Sequence, residues 1–201
     1  QQKVAVTGGT TIAAIPEQLS PHPLHQHFYF IAARGGVGDQ FQHQANTIAA
    51  QFAEACHSPY KLFYYPDELS QEAHEVLKAE ATSLEMIALY EQVDIVIHGV
   101  GQALQMAEKR KSSKETIRRL HEQHAVAEAF GYYFNEAGQV IERIRTIGID
   151  LNQVHQAKTV LAVAGGQSKG QALYAYLKTA PPQTVLVTDE GAAEWILNQL
   201  T

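Results

Sequence analysis

Six short apolar runs, at residues 4–6, 28–33, 62–65, 95–97, 160–164 and 185–187, carry almost no polar alternation and are separated by stretches of helical periodicity. A strand that meets water on one side alternates apolar and polar residues, whereas a strand covered on both sides does not. The chain therefore reads as a parallel sheet wound in β, α, β, α order, with candidate helices at 11–19, 42–56, 70–79, 84–91, 101–109, 114–123, 168–178 and 191–200. In the second of these, Ile48, Phe52 and Ala55 recur on one stripe while Gln51 and Glu54 fall off it. One segment breaks the alternation. Residues 125–134 and 139–147 are rich in aromatic and β-branched side chains and flank the polar turn Asn135-Glu136-Ala137-Gly138, which predicts a β-hairpin appended to the parallel sheet. With 201 residues, 45% of them hydrophobic, and no linker or repeat, the chain is expected to form one domain over 1–201.

Three of the apolar runs lead into glycine-rich loops: Gly8-Gly9-Thr10-Thr11, Arg34-Gly35-Gly36-Val37-Gly38 and Gly165-Gly166-Gln167-Ser168-Lys169. Loops at the carboxyl ends of parallel strands gather around one crevice, glycine allows close backbone approach, and a helix start offers free N–H groups. Thr10 and Thr11 read either as caps of the following helix or as donors to a phosphate. Arg34 stands where a guanidinium can clamp a phosphate through two bonds. Lys169 in a first helical turn is unfavourable for the helix dipole unless an anion lies between them, so Ser168 and Lys169 join the candidate phosphate set. Gln44 and Glu128 supply acceptors for sugar hydroxyls. Asp189 and Glu190 could do the same, and Asp189 could equally cap the last helix.

A formal charge of −6 argues against binding nucleic-acid phosphates through the overall field of this domain. The basic segment Lys109-Arg110-Lys111, Lys114, Arg118 and Arg119 is interleaved with Glu108, Glu115 and Glu122 and reads as a solvated helix with local ion pairs. His22, His25 and His27 lie in a proline-bounded loop and His121 and His124 on an exposed helix, with no ligand set to complete a metal site. Neither the Walker phosphate loop nor a full dinucleotide fingerprint occurs, since Gly36-Val37-Gly38 and Gly99-Val100-Gly101 match only its first half. No cofactor is expected. The one cysteine, Cys56, reads as structural, and no segment reads as a signal peptide or membrane helix, so the cytoplasm is the expected compartment. The chain opens on Gln1 rather than methionine, as a piece of a longer protein would.

Taken in order, Val6-Thr7-Gly8-Gly9-Thr10-Thr11, Ala33-Arg34-Gly35-Gly36-Val37-Gly38, Gln44-Ala45-Asn46-Thr47, Glu128-Ala129-Phe130-Gly131-Tyr132-Tyr133-Phe134, Ala164-Gly165-Gly166-Gln167-Ser168-Lys169 and Thr188-Asp189-Glu190-Gly191-Ala192-Ala193 resemble the effector-binding domains of the SorC family of sugar-responsive bacterial transcriptional repressors, in particular those of glycolytic operons. The resemblance spans nearly the whole chain. It implies a Rossmann-like, doubly wound, mostly parallel α/β sheet related to sugar-phosphate isomerases and glucosamine-phosphate deaminases, used to sense fructose 1,6-bisphosphate without converting it. It also implies that Gly9, Thr10, Thr11, Arg34, Gly35, Gly36, Gln44, Glu128, Ser168 and Lys169 contact the effector. Operator DNA would be held only by an N-terminal helix-turn-helix domain that this chain lacks, and the full protein would be a dimer or tetramer. The alternative on the same fold is a sugar-phosphate isomerase or deaminase using His98, Glu128, Asp189 or Glu190 near strand ends.

Overall fold

The computed structural model describes residues 1–20, 22–37 and 40–200. Gly38, the last residue of the second glycine loop, lies outside them. Six strands form a parallel sheet: β1 (Gln2–Val6), β2 (Phe28–Ala32), β3 (Tyr60–Lys61), β4 (Ile95–His98), β9 (Thr159–Val163) and β10 (Thr184–Val187). Their order across the sheet is β10-β9-β4-β1-β2-β3. The chain thus winds outward from β1 in one direction, then returns to β4 on its other side and winds outward again. Val4 lies opposite both Phe30 of β2 and Ile95 of β4, so β1 is central, and Val4, Ala5 and Val6 are almost fully buried. This is the topology in which a crevice opens at the carboxyl ends of the two strands where the winding reverses.

Helices α1 (Thr10–Ala13), α2 (Ala45–Cys56), α3 (Gln71–Lys78), α4 (Ala81–Tyr90), α5 (Ala103–Lys109), α6 (Lys114–Glu122), α7 (Leu151–Gln156), α8 (Gly170–Leu177) and α9 (Glu190–Leu197) connect the strands. In α2, Ile48, Ala49, Phe52, Ala53 and Cys56 form the stripe that packs toward β2, and Phe52 stacks on Phe30 with ring centroids 5.3 Å apart. Ala55 is only half-buried, one position off the expected stripe. Two predicted helices are shorter than the periodicity suggested. The stretch 11–19 is the single turn α1 followed by a 3-10 turn at Pro16–Gln18, where the proline cannot continue an α-helix. The stretch 168–178 begins with a 3-10 turn, Gln167–Lys169, and becomes α-helical only at Gly170. The third predicted strand lies two residues early, at Tyr60–Lys61, because Tyr60 and Lys61 are the residues in register with Phe30 and Ile31.

Between β4 and β9 the chain builds a second sheet, antiparallel in the order β5-β6-β7-β8, from β5 (Gly101–Gln102), β6 (Ala125–Ala129), β7 (Tyr132–Asn135) and β8 (Val140–Arg143). The predicted turn at Asn135–Gly138 is present, with Gly138 at φ 80° and Asn135 Oδ1 accepting from the Gln139 N–H at 2.9 Å. The segment 125–134, however, is two strands and not one. Phe130 (φ 56°) and Gly131 (φ 78°) make a two-residue turn that closes between Ala129 and Tyr132, the geometry that matches the twist of paired strands. Helices α5 and α6 cover this sheet over a small core of Ala103, Ala107, Leu120, Tyr133 and Ile144, separate from the main core.

Candidate functional site

A cavity of about 550 Å³ opens where the winding reverses, at the carboxyl ends of β1 and β4. Eight of the ten sequence-predicted residues line it: Gly9, Thr10, Thr11, Arg34, Gly35, Gln44, Glu128 and Lys169. Gly36 lines an adjoining cleft instead. Ser168 is exposed and outside the cavity wall, and its carbonyl accepts from Gln102 Nε2 at 2.6 Å, so it is not part of the lining set. The loop after β1 is pinned from the side, since the Gly9 N–H donates to the His43 carbonyl at 2.9 Å. Thr10 and Thr11 do not cap α1, whose N-cap is Gly9 with no side-chain bond, and both threonines are exposed on the cavity wall. Their hydroxyls are therefore available to a ligand.

Arg34 follows β2 and is buried, its side chain 6% exposed. Nε donates to Asp67 Oδ1 at 2.7 Å, while Nη1 and Nη2 have no hydrogen-bond partner among the described residues. Leaving charged donors unpaired in the interior costs on the order of 1–3 kcal/mol apiece, a cost that an anion beside them would remove. Gly35 next to it reads differently in the structure than in the sequence. A Cβ there would strike the backbone of Tyr65, Pro66 and Asp67, so this glycine lets the segment after β3 press against the loop after β2 and bring Asp67 to Arg34.

The second oxygen of Asp67 accepts from Arg110 Nε at 3.1 Å. Arg110 ends α5, and its Nη2 donates to Glu128 Oε1 and its Nη1 to the Tyr133 hydroxyl, at 3.1 and 3.2 Å. Glu128 and Tyr133 are paired across β6 and β7, which places their side chains on one face of the sheet, within reach of a single guanidinium. Glu128 Oε1 also accepts from the Gly131 N–H at 2.6 Å. Burial would depress the pKa of Arg110, but Glu128 and Asp67 outweigh it and push the pKa up, so its charge is locked. The reading of Lys109-Arg110-Lys111 as a solvated run is thereby corrected for Arg110, while Lys109 and Lys111 are exposed as expected. All three line the cavity and Arg110 is buried. The solvated reading holds for Arg118, which is 57% exposed and paired with Glu115 and Glu122.

Lys169 completes the lining. Its pKa is lowered first by burial and then by the Lys109 ammonium, with Glu128 partly opposing, and no protein group among the described residues bonds its Nζ. Among the described residues the cavity wall carries Arg34, Lys109, Arg110, Lys111 and Lys169 against Glu108 and Glu128. A chain of net charge −6 has thus gathered a positive surplus at one place. The residues that sequence reasoning missed are Asp67 and Arg110, which lie 33 and 76 positions from Arg34 and carry no local signal.

The polar groups at the other strand ends have internal partners. His98 is fully buried at the end of β4. The Gly99 carbonyl, 3.0 Å from Nδ1, can only accept, so Nδ1 carries the proton and Nε2 accepts from the Tyr176 hydroxyl at 3.1 Å. Burial lowers the His98 pKa to about 4, with the Gly99 carbonyl opposing. Asp189 caps α9 through the Ala192 N–H and also accepts from Gly166 N–H. Of the groups that the isomerase or deaminase alternative would use, His98 and Asp189 are thus held by the fold. Among the described residues no cluster of three or more His, Cys, Asp or Glu could hold a metal ion, and no helix is long and apolar enough to cross a membrane.

Comparison with known proteins agrees with this geometry. Residues 1–198 match the family described as "Putative sugar-binding domain". The chain is 45% identical over 191 residues to the central glycolytic genes regulator of Priestia megaterium, covering 95% of this chain and 56% of that protein. It is 41% identical over 194 residues to the regulator of the same name from Bacillus subtilis, covering 96% and 57%. It therefore spans little more than half the length of these relatives. A crystal structure described as "the putative SorC family transcriptional regulator from Enterococcus faecalis" superposes with a TM-score of 0.89 at 40% identity, covering 98% of this chain and 80% of that one. The relatives are named as transcriptional regulators, not enzymes. With a cavity at the reversal point of the sheet and a family match along almost its entire length, the chain belongs to the sugar-binding domains of SorC-family transcriptional regulators.

Proposed function

We propose that this domain is the effector sensor of a transcriptional repressor of glycolytic operons, and that its inducer is fructose 1,6-bisphosphate or a closely related sugar phosphate. The observation that carries this reading is Lys169: half-buried, beside Lys109, and without a partner among the described residues, at a cavity whose wall also includes Arg34, a residue whose buried η nitrogens have no partner there either. Such a set of cations is stabilised by an anion. Thr10 and Thr11 add hydroxyl donors, and Gln44 and Glu128 add the acceptors a sugar needs. Each charge-assisted bond contributes about 1.5–3 kcal/mol, so several together support micromolar binding after the costs of association. A ligand with two phosphates uses both the Arg34 and the Lys169 sides.

In the longer protein the operator would be gripped by a helix-turn-helix domain outside this chain, within a homo-oligomer, and the effector would act by binding one arrangement of subunits more tightly than the other. Thermal unfolding tests the binding step. Fructose 1,6-bisphosphate at 100 times its Kd should stabilise the domain by about 2.7 kcal/mol, more than fructose or inorganic phosphate at equal concentration. Lys169→Ala should shrink the shift. The absence of any shift with every sugar phosphate tried would overturn the proposal.

A further inference from the structure

The buried charges beside the cavity are arranged in an unusual way. Asp67, 5% exposed, does not engage one arginine with both oxygens, as a carboxylate that only neutralises a guanidinium tends to do; Oδ1 takes Arg34 Nε and Oδ2 takes Arg110 Nε. Holding Arg34 by Nε fixes the plane of its guanidinium and leaves both η nitrogens without a hydrogen-bond partner among the described residues, buried against Gly131. Arg110, by contrast, has its η nitrogens satisfied by Glu128 and Tyr133. The segment that carries Asp67 is pressed into place by backbone contact with Gly35, so the carboxylate is itself held firmly.

We propose that Asp67 is a positioning residue of the effector site: through Nε it fixes the Arg34 guanidinium in the cavity wall, keeps its η nitrogens in reserve for an effector phosphate, and ties the group, by way of Arg110, to the antiparallel sheet. This rests on the sugar-phosphate reading above. Asp67 touches no ligand in this scheme and acts only through Arg34.

A double-mutant cycle tests it. The Kd for fructose 1,6-bisphosphate is measured by calorimetry, well below the melting temperature, for the unaltered domain, Asp67→Asn, Arg34→Met and the double variant. Asp67→Asn keeps the volume of the side chain but offers an N–H to one of the two arginines. It should weaken binding about tenfold or more, and it should weaken it no further once Arg34 is Met, because its effect passes through that residue. Losses that multiply, or an unchanged Kd in Asp67→Asn, overturn the proposal. If Asp67→Asn does not fold, Asp67→Glu keeps the charge and displaces the carboxylate by one methylene. Weakened binding in a folded Asp67→Glu supports positioning, and an unchanged Kd there means that Asp67 is merely structural. Failure of the unaltered domain to bind any sugar phosphate would instead remove the functional reading itself, and this inference with it.

Discussion

The two walls of the cavity hold their polar groups by different means. On the side of the parallel sheet the lining comes from short strand-end loops, Thr7-Gly8-Gly9 after β1, Gly99 after β4 and Ala164 after β9, all placed by strand order. On the side of the antiparallel insert it is charge, with Arg110 and Glu128 in contact and Asp67 joining them to Arg34. The loop wall follows from topology. The charged wall exists only while four partners from distant parts of the chain neutralise one another. Burying two cations and two anions is favourable only if none is left alone.

Arg110→Met breaks this contrast most strongly. It strips Asp67 and Glu128 of their shared cation and should cost about 3–5 kcal/mol of stability, read as a lower urea midpoint. A loss of under about 1 kcal/mol would mean that the charged wall is no more dependent on its partners than a surface pair. His98 sharpens the other side of the comparison. The folded imidazole stays neutral down to about 4, whereas an unfolded one takes a proton at about 6.5. Its contribution is therefore complete above about pH 6.5 and is lost as pH falls from there to about 4, on the order of 3 kcal/mol in all. Urea midpoints at pH 7 and pH 4.5 should diverge less in His98→Gln than in the unaltered domain.

Gly131→Ala comes next. The residue sits at φ 78°, and a Cβ would fall on the η nitrogens of Arg34, so a loss of about 1–3 kcal/mol is expected, together with a weaker effector response. Arg118→Ala is the smallest. Its pairs with Glu115 and Glu122 are exposed, and neither the melting temperature nor the effector-induced shift should change measurably. A clear change at Arg118 would show that surface charge, too, supports the insert.

These two walls were unequally legible in the sequence. The strands β1, β2, β4 and β9 announce themselves because a parallel strand covered on both faces must be apolar throughout, whereas β10, equally apolar, is an edge strand whose Val185 and Val187 are exposed. From that, and from glycines at strand ends, Arg34, Gln44, Glu128 and Lys169 could be placed at one crevice, where the structure also places them. What could not be read were partners set by distance in space. Asp67 sits in an unremarkable loop, and Arg110 is flanked by two lysines that make it look solvated. Nothing local distinguishes it from Arg118, eight residues on. The turn at Phe130-Gly131 was hidden for a related reason: the aromatic residues on either side argue for continuous strand, and Phe130 is a non-glycine residue in the left-handed region. Gly35 and Ser168 were assigned to a ligand on the strength of their neighbours. Gly35 has a packing reason, and Ser168 lies outside the lining.

The first helix after β1 is four residues long. A helix of one turn sums too few peptide dipoles to hold an anion at its end, so in this domain the attraction must come from side-chain cations, among which Lys109 is exposed and Lys169 half-buried. Such attraction is screened by dissolved ions, and the Debye length falls from about 10 Å at 0.1 M salt to about 3 Å at 1 M. Sensitivity of anion binding to the ionic composition of the surroundings is therefore built into this domain by the shortness of that one turn.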